Sequence, residues 1–251
     1  MWSNSATRID DFILRPLTSL VGHSPVVDGA MEMLSHGSPT YAGFVMAVFW
    51  WYWFRQSDPA TTQRTHEVLL CTMIASAAGL FVARALALTL PFRLRPRFEP
   101  ALHLIWPAAP DSLMFVDWSA FPSDHAVMFS ALAVGLCFVS LRMGMALLLL
   151  AVLFVSLPRV YYGIHYPTDV IAGVAMGALF GYCANAIAVS RRLAGRILLW
   201  ERRSPRGFQT ALFVVTFEFA TMFDGVRWAT RTGVHLGARM LAGVIAALSG
   251  H

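Results

Sequence analysis

The sequence contains no lysine, so all 19 of its Lys and Arg positions are arginine. Charged residues are also scarce, at 13% of 251 residues, whereas 57% are hydrophobic and the mean hydropathy is +0.59. This composition argues against an ordinary soluble domain and predicts an integral membrane protein. The net charge of +5 does not indicate nucleic-acid binding, because no soluble segment combines a basic face with interleaved aromatic residues.

Cysteine is rare as well, and its placement argues against several kinds of site. Cys71, Cys137 and Cys183 each lie inside an apolar segment, without a close pair and without the spacing of metal ligands. They are therefore expected to be buried free thiols rather than a disulfide framework. No internal repeat is visible. No cleavable signal peptide is expected, because no uninterrupted apolar stretch follows Arg8 and Asp10.

Long apolar segments divide the chain into about six predicted transmembrane spans. The spans cover residues 39–54, 67–90, 122–142, 143–158, 168–190 and 208–224. Residues 8–35 place apolar side chains at helical spacing and predict one or two amphipathic helices on the membrane surface. The segment 233–249 is short, and it is either a surface helix or a partial span. We therefore predict an all-α, polytopic membrane helix bundle, with 1–38 as an interfacial region and 39–251 as the embedded unit.

The arginines predict the orientation of this bundle. The densest basic stretch contains Arg191, Arg192, Arg196, Arg202, Arg203 and Arg206. By the positive-inside rule this loop is cytoplasmic, and the cluster Trp50–Trp53 fits an aromatic belt at the same face. Counting spans back from the loop then places residues 91–121 and 159–167 outside.

Three polar clusters fall on this outer face. They are Arg93–Arg97, Pro122–His125 and Arg159–Asp169. Each alone has an ordinary explanation, which is a contact with anionic lipid, a helix cap and a structural ion pair, respectively. Their coincidence on one face of the membrane favours a functional site.

The residue types in these clusters suit phosphoryl transfer. Arginine forks and the amides of a helix start bind phosphoryl oxygens and stabilise them during transfer. One histidine can attack phosphorus while a carboxylate orients its imidazole, and a second histidine can protonate the leaving oxygen. Histidines and acids could instead ligate a metal, although the adjacent arginines would repel a divalent cation.

As a set, the clusters resemble the signature motifs of the type 2 phosphatidic acid phosphatase superfamily, K-x6-R-P, P-S-G-H and S-R-x5-H-x3-D. The matches are Arg95-Pro96 in the first motif, Pro122, Ser123 and His125 in the second, and Arg159, His165 and Asp169 in the third. The order and the spacing within the third motif agree, and the resemblance covers roughly residues 80–190.

The resemblance implies a membrane-embedded phosphatase that needs neither a metal nor another cofactor. His165 would form a phosphohistidine intermediate, and Asp169 would orient and activate it. His125 would protonate the leaving group. The phosphoryl oxygens would be held by Arg95, Ser123 and Arg159.

Two departures from the family pattern affect these assignments. The family's lysine falls on Leu88, and since the chain has no lysine, either Arg84 or Arg93 is expected to take its place among the phosphate-binding groups. Arg84 lies one helical turn earlier on the same face. The family's serine before Arg159 is Pro158, so one hydroxyl is missing.

A third departure points to the substrate. The family's glycine is Asp124, a variant resembling the F-P-S-D-H form of bacterial enzymes that act on isoprenoid lipid diphosphates. We expect Arg93 or Arg97 to neutralise its charge beside phosphate. The resemblance thus implies a phosphatase of the bacterial inner membrane, active at the periplasmic face, with undecaprenyl diphosphate as the preferred substrate. Phosphatidylglycerol phosphate, phosphatidic acid, lipid A and a lipid phosphotransferase reaction are the alternatives.

A transporter is the non-enzymatic alternative, with Arg84, Glu218 and Asp224 as intramembrane relay groups. Transporters usually place such groups near the bilayer midplane and often repeat their topology, whereas here the polar groups lie at span ends and no repeat is visible. The expected partners are therefore a lipid phosphate and membrane lipids, and the oligomeric state is open.

Overall fold

The protein is helical in the part of the chain that the computed structural model describes, residues 8–36, 38–55, 57–107 and 118–223, which contain no β-strand. This confirms the predicted all-α class. The helices are α1 (Arg8–Thr18), α2 (Pro25–His36), α3 (Ser38–Phe54), α4 (Pro59–Thr89), α5 (Asp124–Leu136), α6 (Leu141–Leu150), α7 (Leu157–Tyr161), α8 (Pro167–Ala186), α9 (Ala188–Arg203) and α10 (Pro205–Ala220). In the described part of the loop after α4, Pro96–Phe98 and Pro100–Leu102 form short 3₁₀ turns.

Three of the helices are long and apolar enough to cross a membrane. They are α4, the continuous helix Leu141–Tyr161 and α8, with 31, 21 and 20 residues. They correspond to the second, fourth and fifth predicted spans. The helices at the other predicted spans, α3, α5 and α10, have 17, 13 and 16 residues, fewer than the roughly 20 that a span needs. The arrangement with six spans therefore stays a prediction, and segment 233–249 lies outside the described residues.

The continuous helix changes its winding in the middle. α6 passes into α7 through a wider, π-helical stretch, Ala151–Ser156, and Pro158 follows at the start of α7. Proline has no N–H to donate to the preceding turn. One residue later, the Arg159 Nη1 donates to the carbonyl of Val155 at 3.0 Å. Such irregular turns are frequent at functional sites, and this one directly precedes an arginine of the third motif.

Helix α5 is the centre of the bundle. It packs against α4, α6 and α8, and its contact with α8 is the most extensive in the molecule. Most of its side chains are buried on every face of the helix, which explains why its sequence is apolar all round. A helix this short cannot be recognised as central from hydropathy alone, because length carries much of that signal.

A stripe of glycines lets α5 and α8 approach closely. Gly173, Gly177 and Gly181 follow one another at intervals of one helical turn on α8 and face α5. A Cβ atom at Gly173 would lie 2.7 Å from the carbonyl oxygen of Ser123, and one at Gly181 would lie 2.5 Å from that of Ala131. The close packing brings the start of α5, with the second motif, beside the start of α8, with the end of the third.

The basic stretch 191–206 differs from the predicted loop, because it forms α9 and the start of α10. Ala194 and Leu198 are buried one turn apart, whereas Arg196 and Arg203 are exposed. The prediction of a loop was wrong, because the many arginines in this stretch obscured its short apolar repeat. Its cytoplasmic location stays a prediction.

Helices form where one or two N-terminal helices were predicted. α1 and α2 pack against α7, and α1 also packs against α8. α1 buries Asp10 and Leu14 and exposes Ile9 and Phe12. Their place at a membrane surface and the division of the chain at residue 38 stay predictions.

Candidate active site

The three sequence motifs meet at one end of the bundle, which we call the motif end. The loop after α4 supplies Arg95, whose Nη1 donates to the Ile164 carbonyl at 3.0 Å. The start of α5 supplies Ser123, whose N–H donates to the Asp169 carbonyl at 3.2 Å. The turn between α7 and α8 supplies His165. The structure thus brings together residues from segments that are far apart in sequence.

His165 is held by a tight turn and a single backbone carbonyl. Gly163 has a φ of 65°, a conformation that glycine adopts without strain, and the N–H of Ile164 turns back to the Arg159 carbonyl at 2.9 Å. The imidazole Nδ1 of His165 lies 2.8 Å from the Ala120 carbonyl oxygen. Because a carbonyl only accepts, Nδ1 carries the proton and Nε2 keeps its lone pair. The geometry therefore fixes the tautomer that a nucleophilic histidine needs.

The surroundings of His165 also keep it uncharged. Burial lowers the pKa of His165 well below its ordinary 6.5, and the charge of Arg95 lowers it further. The charges of Arg159 and Arg84 act in the same direction, whereas the bond to Ala120 raises the pKa. At neutral pH the imidazole is thus neutral, with its lone pair available for attack.

Asp169 lies next to His165 but does not hydrogen bond to it. Its Oδ2 accepts from the Tyr166 N–H at 2.8 Å and lies 3.9 Å from His165 Nδ1, beyond hydrogen-bond range. Its Oδ1 accepts from Arg93. The orienting contact predicted for Asp169 is thus made by the Ala120 carbonyl, which sequence reasoning missed because any residue type supplies such an oxygen.

Arg93 is buried next to Asp169 and bonds directly to it. It is 3% exposed, and besides Asp169 it donates to the Thr168 hydroxyl at 3.0 Å and to the Asp10 carboxylate at 2.9 Å. Its guanidinium stacks on the Tyr166 ring at 3.9 Å from the centroid. Arg93 is one of the two arginines expected to replace the family's lysine. Its guanidinium, however, is directed at the carboxylates of Asp10 and Asp169.

Arg95 and Arg159 are the other buried cations at the motif end, 5% and 7% exposed. Arg95 donates through Nε to the Trp118 carbonyl at 3.3 Å and through Nη1 to Ile164. Burial lowers the pKa of Arg95 to about 10, with a contribution from the charge of Arg84, so it stays cationic at neutral pH. Both side chains donate to backbone carbonyls, Arg95 to those of Trp118 and Ile164 and Arg159 to that of Val155, so two buried cations lie at the motif end.

Ser123 presents a hydroxyl that the fold does not satisfy. The residue is 1% exposed, and its Oγ has no hydrogen-bond partner within the described residues. Although Ser123 precedes the first turn of α5, its side chain makes no capping bond. Buried hydroxyls are normally paired. A phosphoryl oxygen at the start of α5 would supply an acceptor.

The sequence departures at the lysine and glycine positions compensate each other. Arg84, near the end of α4, donates through Nε to Asp124 Oδ1 at 2.9 Å and pairs through Nη2 with its other oxygen. The Arg84 guanidinium also lies over the Trp118 ring at 4.8 Å. The expectation that Arg93 or Arg97 neutralises Asp124 is corrected, since Arg97 donates to the Tyr162 carbonyl at 2.8 Å and to the Pro107 carbonyl.

The remaining motif residue, His125, lies in the first turn of α5 and is half-buried, with its ring 6.5 Å from that of Phe129. Among the described residues no three His, Cys, Asp or Glu side chains converge as metal ligands would. The carboxylates Asp124 and Asp169 each face an arginine. The donor set at the motif end therefore suits an anion.

Helices with membrane-spanning length, together with buried arginines at one end of the bundle, are the features expected of a membrane protein that binds an anionic group. The PAP2 superfamily pattern matches residues 68–192. Undecaprenyl-diphosphatase BcrC of Bacillus subtilis (strain 168) is 25% identical over 170 residues, 68% of this chain and 79% of that protein. "Putative undecaprenyl-diphosphatase YbjG" of Escherichia coli (strain K12) is 32% identical over 162 residues, 63% of this chain and 73% of that protein.

A third relative is the decaprenylphosphoryl-5-phosphoribose phosphatase of Mycobacterium tuberculosis (strain ATCC 25618 / H37Rv), 33% identical over 121 residues, 48% of this chain and 64% of that protein. No solved structure matches the chain significantly. The chain belongs to the PAP2 superfamily and is a phosphoric ester hydrolase.

Proposed function

We propose that the protein hydrolyses a lipid phosphate or diphosphate through a phosphohistidine formed on His165. The observation that carries this proposal is the hydrogen bond of 2.8 Å from His165 Nδ1 to the Ala120 carbonyl, because it leaves the Nε2 lone pair free to attack. The low pKa of His165 supports the same role, since a protonated imidazole is not a nucleophile.

The first chemical step is attack on phosphorus. Arg95, Arg159 and the Ser123 hydroxyl hold the phosphoryl oxygens and stabilise their charge in the transition state. The Nε2 of His165 forms the N–P bond as the bond from phosphorus to the leaving oxygen breaks. His125 donates a proton to that oxygen. With a diphosphate substrate, the leaving group is the lipid monophosphate.

The second step returns the enzyme to its starting state. A water molecule attacks the phosphohistidine, His125 takes a proton from that water, and the N–P bond breaks to release inorganic phosphate. The phosphorylated imidazole is cationic, because Nδ1 keeps its proton. The Asp169 carboxylate, 3.9 Å from Nδ1, stabilises this charge without a direct hydrogen bond.

Arg84 takes the place of the family's lysine in this proposal. Its guanidinium pairs with Asp124, which directly follows Ser123 in the chain, and its charge acts on both Arg95 and His165. Arg93, in contrast, is buried and shared between two buried carboxylates, whereas Arg84 is partly exposed and pairs with one. We therefore assign phosphate binding to Arg84 and a supporting role to Arg93.

The substrate we propose is undecaprenyl diphosphate. Relatives from Bacillus subtilis and Escherichia coli carry undecaprenyl-diphosphatase in their names, and the Mycobacterium tuberculosis relative is named for a decaprenylphosphoryl substrate. The shared feature of these names is a long isoprenoid lipid. The Pro-Ser-Asp-His form of the second motif in this chain supports the same choice.

We further propose a six-span arrangement in the bacterial inner membrane, with the motif end at the periplasmic face. The support is the exposed arginines of α9 at the opposite end of the bundle. A Ser204→Cys variant is expected to react with a membrane-impermeant thiol reagent from the cytoplasmic side alone. Labelling from outside would reverse the orientation of the site.

The mechanism is tested with purified full-length protein and undecaprenyl diphosphate in the presence of a chelator. We expect phosphate release without added metal, its loss in His165→Ala, and its retention in His23→Ala, which removes an exposed histidine. Activity in His165→Ala would exclude the phosphohistidine, and inhibition by the chelator would support a metal mechanism. Faster release from phosphatidylglycerol phosphate would change the substrate but not the chemistry.

A further inference from the structure

Helix α1 brings a buried carboxylate up to the motif end of the bundle. Asp10 is 0% exposed. Its Oδ1 accepts from the Thr168 N–H at 2.9 Å, and its Oδ2 accepts from the Thr168 hydroxyl and from Arg93 Nη2, each at 2.9 Å. A buried carboxylate is stable only when donors of this kind surround it.

Arg93 connects Asp10 to Asp169. Its Nη2 donates to Asp10 and its Nη1 donates to Asp169, so one guanidinium bridges two fully buried carboxylates. Asp169 in turn lies 3.9 Å from His165 Nδ1. Two ion pairs thus lead from the N-terminal helix to Asp169, which lies beside the proposed nucleophile.

Asp10 also fixes the start of α8. The N–H groups in the first turn of a helix have no partner within the helix, and Asp10 accepts from that of Thr168. Asp169 is the next residue. The negative charge of Asp10 at this helix start is favoured by the helix dipole as well. The position of the Asp169 carboxylate is therefore set from both sides, by Arg93 and by the anchored first turn.

Docking of α1 alone does not account for this carboxylate. Leu14, one turn further along α1, is fully buried and belongs to an apolar cluster with Val160, Tyr166 and Val170. That cluster provides an apolar attachment of α1 to α7 and α8. Burying a carboxylate has a desolvation cost, and the position of Asp10 next to Arg93 and Thr168 points to a role in the site.

We propose that Asp10 is a positioning residue of the hydrolase, acting on His165 through Arg93, Thr168 and Asp169. This proposal rests on the proposed function of His165 as nucleophile. With Asp10, Arg93 is shared between two carboxylates and leaves Asp169 placed to stabilise the phosphorylated imidazole. Without it, Arg93 pairs with Asp169 alone and draws its charge away from His165.

The test compares Asp10→Asn with Asp11→Asn in the full chain, with phosphate release from undecaprenyl diphosphate as the readout. Asp11 is the adjacent acid on α1, partly exposed and 3.6 Å from Arg15, and its variant should keep its activity. Asp10→Asn is expected to lower kcat by about 10-fold to 100-fold, with KM changed by less than about 2-fold. Asp10→Glu, which keeps the charge, should recover part of kcat. An unchanged kcat in Asp10→Asn would overturn the proposal.

A double-variant cycle separates positioning from a general effect on folding. If Asp10 acts through Asp169, adding Asp10→Asn to Asp169→Asn should lower kcat by less than about 2-fold, because the pathway is already broken. Losses that multiply would contradict the proposal. Should Asp10→Asn fail to fold, Thr168→Val removes one donor to Asp10 without leaving an unpaired charge, and full kcat in that variant would be the contradicting result.

The proposed function fails separately from this inference. Activity in His165→Ala would remove the nucleophile itself, whatever Asp10 does. An inactive His165→Ala protein combined with a fully active Asp10→Asn protein would overturn the role of Asp10 alone.

Discussion

The two ends of the bundle use arginine in opposite ways. At the motif end, Arg93, Arg95 and Arg159 are between 3% and 7% exposed, and the last two are anchored through backbone carbonyls. At the opposite end, Arg196 and Arg203 of α9 are exposed. Helix α4 joins the two ends, because Gln63 near its start accepts from Arg202 at 3.2 Å and Arg84 near its end pairs with Asp124.

We interpret the buried arginines of the motif end as groups that bind an anion. We interpret the exposed arginines of α9 as groups that set the orientation of the chain in the membrane. An exposed arginine keeps its hydration and costs little, so it can record which side of the membrane a segment occupies. Burying arginines near one another has a desolvation cost and adds mutual repulsion. A phosphoryl anion at the motif end would offset both. Matched residues from the two ends should therefore respond differently to substitution.

The largest contrast is expected between Arg159 and Arg203. Arg159→Gln removes a fork that we assign to the phosphoryl group, and kcat/KM should fall by about 10² to 10³. Arg159→Lys keeps a charge without the planar fork and should fall less. Arg203→Gln should stay within about 2-fold of the unaltered protein. The measurement is phosphate release in matched detergent preparations, and equal losses at the two ends would contradict a functional distinction.

Alanine substitutions at Gly177 of α8 and at Gly195 of α9 should differ in their effect on the stability of the protein. Gly177 faces the Val127 carbonyl and the Ser130 hydroxyl of α5, whereas a Cβ at Gly195 of α9 meets nothing within 4 Å. Gly177→Ala should therefore destabilise the protein by about 1–3 kcal/mol through overpacking. Gly195→Ala should be neutral or stabilising by up to about 1 kcal/mol, since alanine favours a helix. Thermal unfolding in detergent measures both, and a stable Gly177→Ala protein would show that α5 and α8 can separate.

Arg84 and Arg64 offer a comparison within one helix. Arg84→Ala should lower kcat/KM by about 10-fold, whereas Arg64→Ala at the exposed start of α4 should have no effect. The cause is resolved by repeating Arg84→Ala in an Asp124→Gly background. If Arg84 binds phosphate, the loss persists there. If it only neutralises Asp124, the loss disappears, and the assignment to the lysine position is wrong.

The sequence predicted the motif end better than it predicted the rest of the bundle. The placement of His165, Ser123 and Arg95 at one end of the bundle could be predicted, because charge and spacing at the ends of apolar segments are properties of the chain itself. The hydrogen bond from His165 to the Ala120 carbonyl could not be predicted, because every residue type carries a backbone carbonyl. Asp10 could not be found either, since an acid on an amphipathic helix reads as a solvated group until a tertiary contact buries it.

The same limit applies to helix geometry. Apolar length identified α4 and α8 as helices long enough to cross a membrane. It did not identify α5 as the centre, because its 13 residues gain their importance from close packing with neighbours. The sequence predicts a loop at α9 because arginine dominates its composition, whereas its buried positions follow a helical repeat. For α5, packing between elements rather than local pattern decided its place in the fold.

The smallest expected effect concerns pH and sharpens the role of the buried arginines. Because burial and the charge of Arg95 lower the pKa of His165 well below 6.5, the free enzyme keeps a neutral nucleophile in mildly acidic solution. An ordinary histidine would lose most of its neutral form between about pH 7.5 and about pH 6, so kcat/KM would fall severalfold. Here the loss assigned to His165 over that interval should be less than about 2-fold.

Ionisation of the substrate phosphate also contributes to the pH dependence of kcat/KM. Comparing the pH profile of the unaltered protein with that of Arg95→Gln isolates the contribution of His165. The pKa of the free substrate is the same whichever variant is used, whereas loss of the Arg95 charge raises the pKa of His165 and should move the acid limb of kcat/KM toward higher pH. A limb at the same pH in both proteins would mean that the titrating group is not His165. A shift toward higher pH would tie the buried arginine to the protonation state of the nucleophile, a coupling that the exposed arginines of α9 have no means to exert.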